Sequence, residues 1–533
     1  MFHQLLTPIG GSLGLSFLVA AIPVAVVLVM LGVLRRPAWQ SSLAGVLSAL
    51  VIAIALWQMP VKLALYSTAA GAIFACWPVM WIVFNSLILY NITVMTGRFD
   101  ALRRWVIDHL PSDKRVVLVV IGFCFGSLLE GVAGFGTPIA ICSALLIALG
   151  FPALEALTFT LIFDTAPVAF GALGVPVTTL AAVTGLPDTH LGAMIGRQLP
   201  FMAFLLPFYV MALYGGLKSI KALWPVLLVA ATSFAVTQFA VSNFVNYTLT
   251  DVLSSLVSLM CTVGFLKFWR PAFDPAYAVD KPAHIVAAQS EVPTWQAWLP
   301  WIGLSLVVIL WTTFKVAAIG DTKIAWPGLD KAVFITLYNK PYAAVWDFQP
   351  LATGTAILVS AILTAAALKV GPKGFLNAAV TSWRQIRLAV LTVALIVGLA
   401  YLMNYSGLTY TLGSAVASVG PAFPMLSAFL GWVAVFLSGS DTSGNALFGN
   451  LQVVAAKQLN MSPILMAATN SSGGVMGKMI SPQNIATGVA VTELKGQEGV
   501  VLARTFKHSI ILTVILGLLV LLQQYVFPWM IPS

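Results

Sequence analysis

The chain has 533 residues, of which 60% are hydrophobic and only 8% charged, with a mean hydropathy of +0.97. A soluble domain carries about a quarter charged residues, so the composition excludes a soluble globular enzyme and specifies a polytopic membrane protein. The net charge of +10 does not point to nucleic acid, because the basic residues fall in short clusters between apolar runs, as loops facing the cytoplasm do.

A span needs about 20 mostly apolar residues. The first apolar run, 13–34, has no basic segment before it and Arg35-Arg36 after it, so it reads as a retained span and not a cleaved signal. Further spans are predicted near 40–58, 70–95, 199–215, 222–241, 249–267, 297–314, 350–368, 385–404 and 508–528. The basic clusters at 35–36, 98–115, 218–221, 267–270, 369–387 and 495–507 can all be cytoplasmic at once if the N-terminus lies outside. Segment 271–296 then becomes a cytoplasmic loop and 316–348 an external one. Cys76, Cys124, Cys142 and Cys261 lie in apolar runs without metal-like spacing, and no HExxH or paired-His pattern occurs. They read as buried free thiols, and no metal or other cofactor is expected.

Two regions, 115–185 and 422–492, are apolar yet interrupted by Gly, Pro, Ser, Asn and scarce acids. Non-helical backbone at membrane depth is tolerated only where protein buries it or it lines a cavity. The two regions align with each other. Glu130-Gly131 and GFGT (134–137) pair with Ser438-Gly439 and TSGN (442–445). Further on, Asp164-Thr165 pairs with Asn470-Ser471, Gly171 with Gly477 and Pro176 with Pro482. The charge-derived topology has the first copy entered from the cytoplasm and the second from outside, the inverted arrangement of many secondary transporters. The expected fold is therefore an all-α membrane protein of about 12 spans, plus two re-entrant or broken-helix regions. Its parts would be N-terminal spans (1–69), a first repeat (70–215), connecting spans (216–368), a second repeat (369–495) and a last span (496–533).

Thr137-Pro138 and Ser481-Pro482 each place an N-cap residue before a proline at N1. Half-helices starting there would present free N–H groups and partial positive charge to an anion. Charged residues at mid-membrane depth are costly and usually functional, which singles out Glu130, Asp164, Asp441 and Lys478. Glu130, Asp164 and Asp441 are candidate proton-coupling acids. Lys478, with Thr137, Thr442, Ser443, Asn445, Asn470 and Ser471, is a candidate for binding a small anion. Protons, that anion and the lipid bilayer are the partners expected.

The stretches GFCFGSLLEGVAGFGTPIAI (122–141), TAPVAFGALGVP (165–176), GRQLPFM (196–202), DVLSSLVSLMC (251–261), NYSGL (404–408), FLSGSDTSGNALF (436–448) and GGVMGKMISPQNIA (473–486) resemble the bacterial lactate permease family, in its order and over nearly the whole chain. The resemblance implies proton-coupled uptake of L-lactate, D-lactate, glycolate and similar 2-hydroxymonocarboxylates across the bacterial inner membrane. The chain departs from the pattern in having Asp164 where Asn is expected before TAPVAFG. The rival readings are a transporter for another small carboxylate, coupling to Na⁺ instead of protons and, from another class, an intramembrane hydrolase. The hydrolase lacks both a deep His and a GxGD-like motif, Asp441 standing in SGSDTSG.

Overall fold

The computed structural model describes residues 1–134, 136–279, 292–494 and 496–532. Among them, ten helical stretches are long and apolar enough to cross a membrane, and a pair bent by 62° adds an eleventh. Most predicted spans appear close to their expected bounds, including Leu13–Gly32, Ala38–Ala55, Thr250–Phe268 and Thr294–Thr313, whereas the last, Glu498–Tyr525, begins ten residues before the expected 508. The expected pair at 199–215 and 222–241 appears as two helices within Leu199–Phe244, parted at Gly216, whose φ of +66° only glycine adopts readily. Part of the predicted cytoplasmic loop (280–291) and Lys495 of the last basic cluster lie outside the described residues.

Each irregular region folds as a hairpin followed by a broken span. In the first, Lys114–Val132 enters and Thr137–Ala148 returns, and the Lys114 ammonium donates to the Gly150 carbonyl at 2.8 Å, closing the hairpin base. The turn needs Gly134 (φ +57°) and Gly136 (φ +81°). The chain re-enters as Ala153–Phe163, breaks, and leaves as Gly171–Thr184. Three consecutive left-handed residues, Ala172, Leu173 and Gly174, occupy this break. For the two non-glycine residues that backbone costs roughly 1–2 kcal/mol each. Regular geometry resumes at Val175, so Pro176 stands in the first turn of its half-helix, as Pro482 does in the other copy.

In the second region Phe423–Ser438 enters and Asp441–Gln458 returns, turning at Gly439 (φ +73°). The broken span is Pro463–Lys478 followed by Pro482–Ala490. Phe423–Ser438 and Pro463–Lys478 cross backbone to backbone: a Cβ on Gly431, Gly473 or Gly477 would collide with the carbonyl oxygens of Asn470, Ala428 and Trp432 respectively. Small residues permit this approach where no hydrophobic force drives helices together.

The copies interlock crosswise. Gly449 of the second hairpin packs on Leu180 and Val183 of the first broken span, while Gly488 of the second broken span packs on Leu157 and Ile139 of the first copy. The hairpins therefore enter from opposite faces.

The segment expected to be a plain external loop carries strands. Thr322–Ala325 pairs antiparallel with Val345–Phe348, and Val333–Ile335 pairs antiparallel with Lys340–Pro341 and parallel with Phe2–His3. The N-terminus and this ribbon thus share one face. Of the cysteines, Cys124 and Cys142 are buried as expected, whereas Cys76 and Cys261 are exposed on the protein surface.

Candidate functional site

Both hairpin tips and both breaks converge on a cavity of about 50 Å³, lined by Glu130, Gly136, Ser440, Thr442, Lys478 and Asn484 among others. Its charged centre is a triad. The Lys478 ammonium lies 2.7 Å from Glu130 Oε1 and 3.0 Å from Asp164 Oδ2, all three side chains buried. Local structure explains the placement. Lys478 ends Pro463–Lys478, where a cation complements the negative end of the helix dipole. Glu130 lies near the end of Gly126–Val132, and Asp164 is the C-cap of Ala153–Phe163. At both positions a carboxylate opposes the dipole. Lys478 from the second copy is the counter-charge that offsets both.

Gly171 is required beside the triad, because a Cβ there would stand 2.8 Å from Glu130 Oε1. Glu130 Oε2 and Asp164 Oδ1 have no hydrogen-bond partner among the described residues. A buried ion pair whose remaining oxygens are unsatisfied is a poor source of stability.

Helix N-termini also line the cavity. Ser440 caps Asp441–Gln458, its hydroxyl accepting from the Ser443 N–H at 3.4 Å. Asp441 therefore does not serve as that helix's cap. Its Oδ2 accepts from the Ser471 hydroxyl at 2.5 Å and the Asn445 amide at 3.2 Å, and Oδ1 is left without a partner among the described residues. Ser481 is the N-cap of Pro482–Ala490, but its hydroxyl makes no capping bond. The expected cap at Thr137 is displaced by one residue: Gly136 is the N-cap and Thr137 begins the helix, because only a left-handed residue closes the tight tip.

Of the predicted binding residues, Lys478 and Thr442 line the cavity. Asn445, Asn470 and Ser471 form a buried scaffold behind Asp441. In it Asn470 donates to Asn445 Oδ1 at 2.9 Å, and Gln452 donates to Asn470 Oδ1 at 3.1 Å. Asp164 and Asn470, aligned in sequence, thus stand in different surroundings, Asp164 on Lys478 and Asn470 within the second hairpin. Thr137 and Ser443 are outside the lining.

One acid escaped the sequence reading. Asp251 stands in the first turn of Thr250–Phe268, is fully buried, and neither carboxylate oxygen is hydrogen-bonded among the described residues. Its Cβ lies 2.8 Å from where a Cβ on Gly131 would be, directly behind Glu130 on the first hairpin. An acid in the first turn of a span resembles an ordinary interfacial residue, so the only signal available was its place in an otherwise apolar run.

The family described as L-lactate permease matches residues 16–527. The glycolate permease GlcA of Escherichia coli K12 is 42% identical to this chain over 99% of each protein. The L-lactate permease of Salmonella typhimurium is 41% identical over 98% of each, and that of Bacillus subtilis 39% over 99% of each. Among solved structures, MtrF of Neisseria gonorrhoeae, described with a class of antimetabolite efflux pumps, covers 94% of this chain and 97% of its own at a TM-score of 0.51 and 13% identity. At that identity the likeness is one of fold alone, a many-helix membrane architecture. A match over nearly the whole length, to relatives that share two fifths of its residues, means that this chain belongs to the L-lactate permease family and is a transporter, not an enzyme.

Proposed function

We propose that the protein imports L-lactate, D-lactate, glycolate and related 2-hydroxymonocarboxylates across a bacterial inner membrane, by proton symport with alternating access. The observation that carries this reading is the single ammonium of Lys478 held between two carboxylates where the repeats meet. The names of the relatives supply the substrate class.

A buried substrate carboxylate needs hydrogen-bonded partners. Lys478 and the N-termini behind Thr442 and Asn484 offer them around one cavity. Glu130 and Asp164 compete for the same ammonium. At about 6 Å two unit negative charges repel by about 3 kcal/mol with an effective dielectric near 20. A proton on Glu130 removes that repulsion and frees Lys478 for the substrate. Anion entry then follows proton binding, and the two fluxes are coupled. Asp441, braced by Ser471 and Asn445, holds the second hairpin in register and offers Oδ1 as a further acceptor. Asp164 either shares the proton or passes it on.

The test is uptake of labelled L-lactate, D-lactate and glycolate into proteoliposomes, with a pH gradient and then a Na⁺ gradient imposed. Accumulation driven by the pH gradient supports the reading. Accumulation driven only by Na⁺ replaces its coupling ion, and no uptake of any of the three removes its substrate class.

A further inference from the structure

A second and much larger cavity, about 850 Å³, opens beneath the ribbon. It is rich in tyrosine and includes Lys340, Lys457 and Trp346 in its wall. The Lys457 and Lys340 ammonium groups lie 4.7 Å and 5.9 Å from the centre of one ring, that of Tyr338. Two like charges gathered around a single aromatic ring repel each other, and neither has a carboxylate partner among the described residues. The acid in the lining, Asp188, is engaged elsewhere, accepting from the Thr189 N–H and the Tyr247 hydroxyl.

Two further donors point the same way. The Tyr338 hydroxyl and the Trp346 indole N–H are buried without a partner among the described residues. Burial pushes the Tyr338 phenol up to about 12, so it remains protonated and able to donate. Two ammonium groups and two unfilled N–H and O–H donors are complementary to a carboxylate and not to a cation.

The cavity also leads to the central site. Thr178 lines the large cavity and Pro176 the small one, a separation of about 3 Å along a helix axis. Asp441–Gln458 runs beside them, with Thr442 in the small cavity and Asn450 and Lys457 in the large one.

We propose that the ribbon-face cavity is a separate docking site for a small hydroxycarboxylate anion, which Lys340, Lys457, Tyr338 and Trp346 capture before it passes to Lys478. This rests on the carboxylate-transport reading above. Charge of one sign within low-dielectric walls concentrates the oppositely charged ligand and raises its rate of arrival.

The experiment places a cysteine at Ala343, in the lining, in a cysteine-free background, and follows its modification by a maleimide. L-lactate and glycolate should each slow modification at least about threefold. That protection should persist with Lys478→Ala and disappear with Lys340→Gln and Lys457→Gln together. The same double variant should raise the KM for uptake about tenfold, leave the maximal rate unchanged, and lose the salt dependence of KM. Absence of protection, protection that survives removal of both lysines, or protection abolished by Lys478→Ala alone would each overturn the proposal. Protection without uptake in the unmodified protein would instead overturn the transport reading and leave the docking site standing.

Discussion

At the scale of single residues, Lys478 and Glu130 make different predictions. A charge-assisted hydrogen bond contributes roughly 1.5–3 kcal/mol, so Lys478→Ala should weaken apparent affinity for L-lactate at least about tenfold, measured by isothermal titration of the folded protein in detergent. Unchanged binding would reassign Lys478 to a structural pair with its two acids. Glu130→Gln mimics the protonated acid. It should keep lactate binding and lactate–lactate exchange while abolishing accumulation driven by a pH gradient. A Gln variant that still concentrates lactate with normal pH dependence would move the coupling role to Asp164, Asp441 or Asp251. Glu130, Asp164, Asp441 and Lys478 were legible in the sequence because charge is rare at membrane depth. That Lys478 pairs with both Glu130 and Asp164 was not, since the contacts span 348 residues in one case and depend on how two copies cross. Asp251 was missed for the opposite reason, its sequence neighbourhood being that of an ordinary span end.

At the scale of elements, glycine spacing decides how closely helices approach. Gly473 meets the backbone of Ala428 with no room for a Cβ. Gly473→Ala should therefore overpack the crossing at a cost of about 1–3 kcal/mol, visible as a lower midpoint of thermal unfolding in detergent. An unchanged midpoint would show that the crossing relaxes freely. The hairpins and breaks were foreseeable from Gly and Pro, because few other residues permit left-handed backbone or begin a helix so readily. Their bounds were less so. The first hairpin turns between Val132 and Thr137 and the second between Ser438 and Asp441, so residues paired by sequence alignment are offset in space. The ribbon at 322–348 also escaped notice, for its strands are only two to four residues long. Their pairing depends on the N-terminal Phe2–His3, more than 300 positions away.

At the scale of the whole molecule, the N-terminus and the ribbon share a face, and the base of the first hairpin lies on the other. If the basic clusters face the cytoplasm, the ribbon lies outside the cell. We predict that a cysteine at Ala343 reacts with a membrane-impermeant thiol reagent on intact spheroplasts. A cysteine at Phe273, exposed between spans, should react only after permeabilisation. The reverse pattern would invert the topology without altering the fold.

The close crossing of Phe423–Ser438 over Pro463–Lys478 has a kinetic corollary. Backbones that touch through Gly431, Gly473 and Gly477 leave little freedom for one helix to slide on the other, so Lys478 travels with the second hairpin as one piece. Its two acids belong to the other copy. The ion pair is then a clasp fastened across a seam, and on the proposed mechanism a carrier holding neither proton nor anion stays clasped. The empty carrier then returns with its charges paired, and because only a proton opens the seam to the anion, lactate does not leak back out unaccompanied. Weakening the clasp, as with Glu130→Gln, should accordingly trade economy for speed, with faster exchange and a loss of the steep gradients that a tightly geared pump sustains.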